Sequence, residues 1–387
     1  MIFMDTLIIA LIVLTFSIAG LYLFYPLLLL LISSFSNQTR VCNKKIFTPR
    51  TSIIVATYNE ETVIRKKLEN LLAVTYPRRI IEIIIVDSGS ADHTREIVRE
   101  YKGKGVILIE QPERLGKASA INLALERAKG EIIVLSDANS EFQSDSLEKL
   151  LRHFDDETGA VLPRFVPSGS LSVWDKIFYG FHHVYKNLES MTDSVFIVFG
   201  EMFAFRKSLV TSINEKAVAD DLDIAMIIRK KQFRIKYAPN VAVKEKVPVN
   251  AKDVRIQKTR HVFGILQTMI KNIDLFGNSK FGYYGRLIFP IHFIQLTIGP
   301  FLIFAEVFLL VLELLITLIV FSNSILFVSL LSICLFCFVS IILFRKTIRI
   351  FSSFIGFLIV QLSILSALFN FARKKDDHIW QKISSTR

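Results

Sequence analysis

The run EIIVL ends on Asp137-Ala138-Asn139, one atom type short of a carboxylate pair that could hold a metal ion. An amide oxygen can still ligate Mg²⁺ or Mn²⁺, but it brings no charge, so such a loop leans on Asp137. Similar polar clusters break two other apolar runs, at Thr57-Tyr58-Asn59-Glu60 and at Asp87-Ser88. Further along stand Lys117, behind a glycine that lets the backbone approach a ligand closely, and Arg260, whose guanidinium fork suits phosphate oxygens. Asp220, Asp221 and Asp223 are three carboxylates within four residues. Each feature also has a plainer reading. A lone Asp after a strand caps a helix or makes a turn, and Tyr58 and Glu60 could open a helix. Lys117 could be solvated, the three aspartates could be the acidic first turn of a helix over 221–231, and Arg260 could face lipid headgroups.

The elements that must position these residues have a clear rhythm. SIIVATY precedes a helical stretch at 60–74, IIEIIIVD precedes 91–101, GVILIE precedes 117–129, and EIIVLSD precedes 145–156. Such alternation predicts βα units and a mainly parallel sheet. Sheets of that kind bind ligands at the carboxyl ends of their strands, where the three polar clusters fall.

Composition places this α/β unit between membrane segments. The 387 residues are 52% hydrophobic with 33 Phe and a mean hydropathy of +0.45, while the charges gather in the middle. Residues 6–33 are 28 consecutive uncharged positions, longer than a signal peptide's apolar core, and predict a retained anchor bent at Pro26. Arg40, Lys44, Lys45 and Arg50 follow and place the middle of the chain on the cytoplasmic side. Segments 300–321 and 324–344 are further spanning candidates, the first needing a partner or water for Glu306 and Glu313. Segments 281–296 and 350–371 read as spanning or interfacial, and the number of crossings stays open. The helix over 251–275, carrying Arg260, mixes cations with apolar residues and reads as interfacial. The phenylalanines read as lipid-facing filler.

The net charge of +12 fits basic flanks meeting anionic lipid rather than a nucleic-acid binder. Cys42 stands alone, and Cys334 and Cys337 lack further ligands for zinc. His182-His183 reads as part of a helix facing the interface rather than a ligand pair. The absence of repeats among the apolar segments disfavours a transporter.

ATYNE (56–60), VDSGSADHT (86–94), RLGKASAIN (114–122), SDANS (136–140), GEMFAFRK (200–207), ADDLDIAMII (219–228) and QKTRH (257–261) resemble, in order, the motifs of family-two inverting glycosyltransferases. The membrane layout is similar to that of the branch with cellulose, hyaluronan and poly-N-acetylglucosamine synthases. The resemblance implies an α/β GT-A catalytic domain, Rossmann-like with a mainly parallel sheet, flanked by transmembrane and interfacial α-helices. It implies a UDP- or GDP-sugar donor, a lipid-linked or glycan acceptor, and a divalent metal, Mg²⁺ or Mn²⁺. Thr57, Tyr58 and Glu60 would contact base and ribose, Asp87 the base edge, Lys117 the nucleotide or its phosphates, and Arg260 the pyrophosphate. Asp221 would be the base, with Asp220 its alternative, and Asp137 and Asn139 would face the metal. In place of the family's second acidic metal ligand stands Asn139, and in place of its Trp stands His261, which weakens the case for a processive polymerase.

The expected organisation is an anchor at 1–36, a cytoplasmic GT-A domain at 37–250, an amphipathic interfacial region at 251–285, membrane or interfacial helices at 286–372, and a basic tail at 373–387. The activity expected is single sugar transfer in a multi-pass cell-membrane protein. Processive synthesis and a catalytically silent nucleotide-sugar-binding subunit are the alternatives.

Overall fold

A computed structural model describes residues 2–35, 47–169, 173–248, 250–320 and 349–373. The basic residues Arg40, Lys44, Lys45, Arg345 and Lys346, all three cysteines and the segment 324–344 lie outside the described residues.

Eight strands form one sheet: β1 (Thr51–Thr57), β2 (Ile81–Ser88), β3 (Val106–Gln111), β4 (Ile132–Leu135), β5 (Glu141–Phe142), β6 (Thr158–Ser168), β7 (Phe203–Arg206) and β8 (Arg234–Lys246). Their order is β3-β2-β1-β4-β7-β6-β8-β5. The half from β3 to β4 is parallel, as the βα rhythm predicts. Its Ile- and Val-rich strands are covered on both faces, which accounts for runs without polar alternation. In the other half β7 runs antiparallel to both β4 and β6, while β6 and β8 pair in parallel. The helices α3 (Ile64–Leu72), α4 (Thr94–Arg99), α5 (Lys117–Arg127) and α6 (Ser146–Leu151) are shorter than their sequence patterns suggest, α5 only at its C-terminal end and the others at both ends. Next come α7 (Val173–Thr192), α8 (Asp220–Lys230) and α9 (Ala251–Lys271).

The N-terminal run is α1 (Ile2–Ala19) and α2 (Tyr25–Phe35), joined by a widened turn over Gly20–Phe24. Pro26 causes this local widening, since it offers no N–H to the carbonyl four residues back. Tyr185 Oη donates to that Tyr22 carbonyl at 2.7 Å, and Gln295 Nε2 donates to the Leu21 carbonyl at 2.6 Å. Towards the C-terminus lie α10 (Phe289–Thr297), α11 (Gly299–Val320) and α12 (Arg349–Ala372). Among the described residues two stretches, Thr6–Phe35 and Gly299–Thr317, are long and apolar enough to cross a membrane. Glu306 finds its partner across the bundle, accepting a hydrogen bond from Thr15 Oγ1 at 2.6 Å.

The region 281–296 is built into the core instead of lying free at an interface. Tyr284, Ile288 and Phe289 are fully buried beside Phe196. Likewise α12 packs on α9, with Ile364 and Ala367 against Val262, Phe263 and Leu266. The reading of phenylalanine as lipid-facing is corrected in part, because Phe154, Phe196, Phe203, Phe205 and Phe289 are wholly buried.

One buried polar junction ties the apolar helices to the sheet unit. Glu189 on α7 accepts from Tyr25 Oη at 2.9 Å and from the Phe196 N–H at 2.9 Å, and it lies 2.6 Å from His292 Nε2. The His292 ring stacks on Phe196 at 4.3 Å. Glu189→Leu leaves three buried polar groups without a partner. It is expected to cost about 3 kcal/mol, read as a fall in Tm of the detergent-solubilised protein. Tyr25→Phe removes one hydrogen bond and should cost about 1 kcal/mol.

Candidate functional site

Thr57 and Asp87 are partners in the β1–β2 register, so the first two polar clusters leave the sheet side by side. The third leaves β4 one strand over, where the Ser136 N–H donates to the Ile54 carbonyl at 3.0 Å. Asn59 adopts a left-handed backbone (φ 54°), a conformation Asn tolerates, and its Oδ1 accepts from the Ala91 N–H at 2.8 Å. With the Asn59 N–H on Ser90 Oγ and the Glu60 N–H on Thr94 Oγ1, the loops after β1 and β2 are laced together. Gly89 is required at their junction: it has φ +73°, and a Cβ there would sit 2.8 Å from the Glu113 backbone.

A cleft opens above these strand ends. Nine of the ten residues predicted for the site border it: Thr57, Tyr58, Glu60, Lys117, Asp137, Asn139, Asp220, Asp221 and Arg260. Asp87 does not. It is wholly buried one layer down, where Oδ2 accepts from the Ser90 N–H at 3.0 Å and pairs with Arg95 at 3.2 Å. Its neighbour Ser88 borders the cleft instead.

Lys117 stands at the first turn of α5 and reaches across the cleft. Its Nζ lies 2.9 Å from Asp137 Oδ1 and 3.4 Å from Asp220 Oδ2, joining the loop after β4 to the start of α8. Burial alone would lower its pKa, but Asp137, Asp220 and Asp221 outweigh that and hold the ammonium charged. Asp221 has the opposite fate. Burial, reinforced by the Asp220 carboxylate, pushes it up to about 8, so it is poised to exchange a proton near neutrality. Asp220, Asp221 and Asp223 do form an acidic first turn, and that turn faces the cleft. Lys271 holds Asp223 at 3.2 Å.

One face of α9 positions Arg260. Gly264, one turn on, packs so closely that a Cβ there would meet the Ala219 nitrogen at 2.9 Å. Gln267 Oε1 accepts from the Val218 N–H at 3.1 Å, while its Nε2 donates to the Lys216 carbonyl at 3.1 Å. Arg260, Gly264, Gln267 and Lys271 share that face by helical spacing, so α9 is clamped along the segment leading to Asp220 and Asp221.

Asp137 and Asn139, the pair expected from the sequence to face a divalent cation, both border the cleft. Asn139 Nδ2 donates to Glu245 Oε1 at 3.1 Å, which assigns the nitrogen and leaves the amide oxygen as the ligating arm. Gly200 faces Asp137 and keeps the space open: a Cβ there would come 3.1 Å from Lys117 Nζ and 3.8 Å from Asp137 Oδ1. Among the described residues no group of three or more His, Cys, Asp or Glu is set to hold a metal. Ligand oxygens would have to complete the coordination.

Several residues of the site carry no sequence signal of their own. Lys67, on α3, is 2% exposed and donates to Ser136 Oγ (2.6 Å), the Ser140 carbonyl (2.8 Å) and Ser140 Oγ (3.0 Å), bracing the Asp137 loop from behind. The two serines also donate to the Glu201 carbonyl. Glu201 borders the cleft, and burial lifts its carboxyl to about 7. Arg114 lies over the Tyr58 ring at 4.0 Å, making a flat stacking surface at one end. At the other end stand Phe178, Tyr179, His182 and Phe199, with Lys258 over the Phe178 ring at 4.1 Å. His182 and His183 are not a ligand pair: His182 packs on Phe178 in the cleft, while His183 Nδ1 meets Tyr237 Oη at 2.8 Å. His261 sits 6.2 Å from the Phe199 ring, and burial holds its imidazole neutral, down to about 3.

Comparison with known proteins adds the following. Residues 52–213 match Glycosyl transferase family 2. A Bacillus subtilis (strain 168) protein named "Probable glycosyltransferase YdaM" is 25% identical over 264 residues, 64% of this chain and 62% of that protein. The poly-beta-1,6-N-acetyl-D-glucosamine synthase of Staphylococcus aureus (strain COL) is 25% identical over 239 residues, 59% of this chain and 57% of that protein. The chain thus spans less than two thirds of the length of these relatives. Among solved structures, the mannosyltransferase PcManGT from Pyrobaculum calidifontis, in complex with GDP-Man and Mn²⁺, matches with a TM-score of 0.75 at 25% identity. The match covers 95% of this chain and 99% of that one.

The brace under the Asp137 loop is testable without a ligand. Lys67→Met should raise amide hydrogen exchange across residues 136–140 about tenfold or more, with exchange in β1 and β2 unchanged.

Proposed function

We propose that this chain, whose residues 52–213 are a glycosyl transferase family 2 domain on a GT-A fold, is a membrane-bound inverting glycosyltransferase. The observation that carries the reading is Asp221, half-buried with a raised pKa and facing the same cleft as Lys117, Asp137 and Arg260. In this reading Asp221 accepts the proton of an acceptor hydroxyl as that oxygen attacks the anomeric carbon. The bond from that carbon to the diphosphate oxygen breaks on the opposite face, inverting the centre. Negative charge collects on the departing nucleoside diphosphate, and Lys117 and Arg260 stabilise it. Tyr58, with Arg114 stacked on it, supplies the surface for the base. Asp137 and Asn139 would hold Mg²⁺ or Mn²⁺, which neutralises diphosphate charge when bound.

PcManGT binds GDP-Man and Mn²⁺, which supports a nucleotide-sugar donor and a divalent metal here. The acceptor approaches from the end lined by Phe178, Tyr179, His182 and Phe199, as a lipid-linked sugar or glycan. The two apolar stretches support a multi-pass membrane location with the catalytic domain cytoplasmic. A processive synthase is the second reading, favoured by the aromatic residues that line the end where His261 replaces Trp.

Purified protein in lipid, given UDP- and GDP-sugars with and without metal, should release nucleotide and form a glycan or glycolipid. Product length separates single transfer from polymerisation. Asp221→Asn should lower transfer by about a thousandfold and leave donor binding by calorimetry within a factor of two; measurable binding with no transfer by the wild type would instead favour a silent subunit. Because the proton must leave Asp221 before it can act, kcat/KM should rise with pH towards a plateau, with its midpoint near the carboxyl's value of about 8. A profile flat from pH 6 to 9 would remove Asp221 as the base.

A further inference from the structure

The apolar stretch Thr6–Phe35 has 30 residues. At helical rise it is about 45 Å long, against about 30 Å of bilayer hydrocarbon. Its last ten residues or so therefore run on past the core, to the depth of the headgroups. That end is fixed to the catalytic domain by Tyr25 and Leu29, both fully buried, while Leu30, Leu31 and Phe35 stay exposed on the outer side.

At this depth a niche forms between α2, the turn after α8 and the turn at 279–283. It is lined by Ile32, Phe35, Lys231, Lys280, Phe281 and Tyr283. Both turns are held in shape. Gln232 takes a left-handed backbone (φ 65°) and its N–H donates to the Arg229 carbonyl at 2.8 Å. Gly282 (φ +61°) lies so near Asp193 that a Cβ would meet its Oδ2 at 2.7 Å.

The charges of the niche do not cancel. Arg229 is paired with Asp193 at 3.1 Å, and Arg234 is spent on the carbonyls of Asp193 and Ser190. Lys231 and Lys280 are exposed and have no carboxylate partner among the described residues, whereas Lys230 next door pairs with Asp274 at 2.9 Å. Glu157 is the one unneutralised carboxylate on the lining. From Ser36 to Asn59 the sequence adds Arg40, Lys44, Lys45 and Arg50 and no acidic residue.

We propose that this niche binds the headgroup of one anionic phospholipid from the leaflet facing the catalytic domain. Its phosphodiester lies between Lys231 and Lys280, and its acyl chains run along Ile32 and Phe35 with Tyr283 at the boundary. The inference rests on the membrane placement proposed above and not on the transfer chemistry. Its test needs no sugar donor, so the two can fail separately.

The full chain would be reconstituted in nanodiscs of equal parts phosphatidylcholine and phosphatidylglycerol, extracted gently, and examined by native mass spectrometry for retained lipid. The wild type should keep one phosphatidylglycerol, with a preference over phosphatidylcholine of about tenfold or more. Lys231→Gln with Lys280→Gln should abolish that preference with no change in Tm, and Lys230→Gln, outside the niche, should leave it intact. Equal retention of the two lipids, or undiminished preference in the double variant, overturns the proposal. So does displacement of the lipid by soluble glycerol phosphate, which would mark a plain phosphate site to which the apolar wall contributes nothing. Failure of the protein to enter nanodiscs at all would refute the membrane placement and this inference with it.

Discussion

Among the carboxylates that border one cleft are Asp137, Glu201, Asp220 and Asp221, and like charges gathered in one place are costly to ionise together without a cation among them. Lys117 is that cation. It touches Asp137 and Asp220 directly, while desolvation first and neighbouring carboxylates second lift the carboxyl groups of Asp221 and Glu201. The division of labour in the cleft follows from this asymmetry. Asp137 and Asp220 are paired with the ammonium, while Asp221, raised by desolvation and by the neighbouring Asp220, becomes a group that can trade a proton near neutral pH.

Holding that arrangement requires precision from elements far apart in the chain. The loop carrying Asp137 is braced by Lys67 from α3, the start of α8 is clamped by α9, and α9 is in turn covered by α12. On the opposite side Glu189 anchors α2 and α10 to the same α7 whose aromatic residues line the cleft. The apolar helices are thus joined to the cleft wall through a buried hydrogen-bonded junction.

Much of this was legible in the sequence because the parallel half of a doubly covered sheet writes itself as unbroken apolar runs ending in polar clusters. From those runs the parallel sheet and the shared location of the three polar clusters could be read, and the motif resemblance added the GT-A class and the remaining residues that border the cleft. The mixed half was not legible. β6 and β8 carry Pro163, Pro167 and Pro239 and shift register between Pro163 and Arg164, and β8 ends in charged residues, so neither shows a clean period of two. Asp87 was misplaced for a different reason: lying at a strand end fixes only which rung a residue occupies. Under the cleft floor the carboxylate pairs with the guanidinium of Arg95, seven residues beyond Ser88. Lys67 escaped notice because a lysine inside RKKLENLL looks like any solvated helix face, and only the fold shows it buried.

The two departures from the family pattern acquire a common physical sense in the structure. Asn139 gives up a charge at the cation loop, yet its amide is locked by Glu245, so the loss of charge is accompanied by a fixed orientation of the ligating oxygen. His261 gives up an indole, yet it is held neutral and packed near Phe199, and Phe178 and Tyr179 broaden the aromatic wall from α7. In both places a neutral, oriented group stands where a larger or more highly charged one would bind more strongly. A cleft built this way relies less on any single strong contact than on several oriented neutral groups acting together.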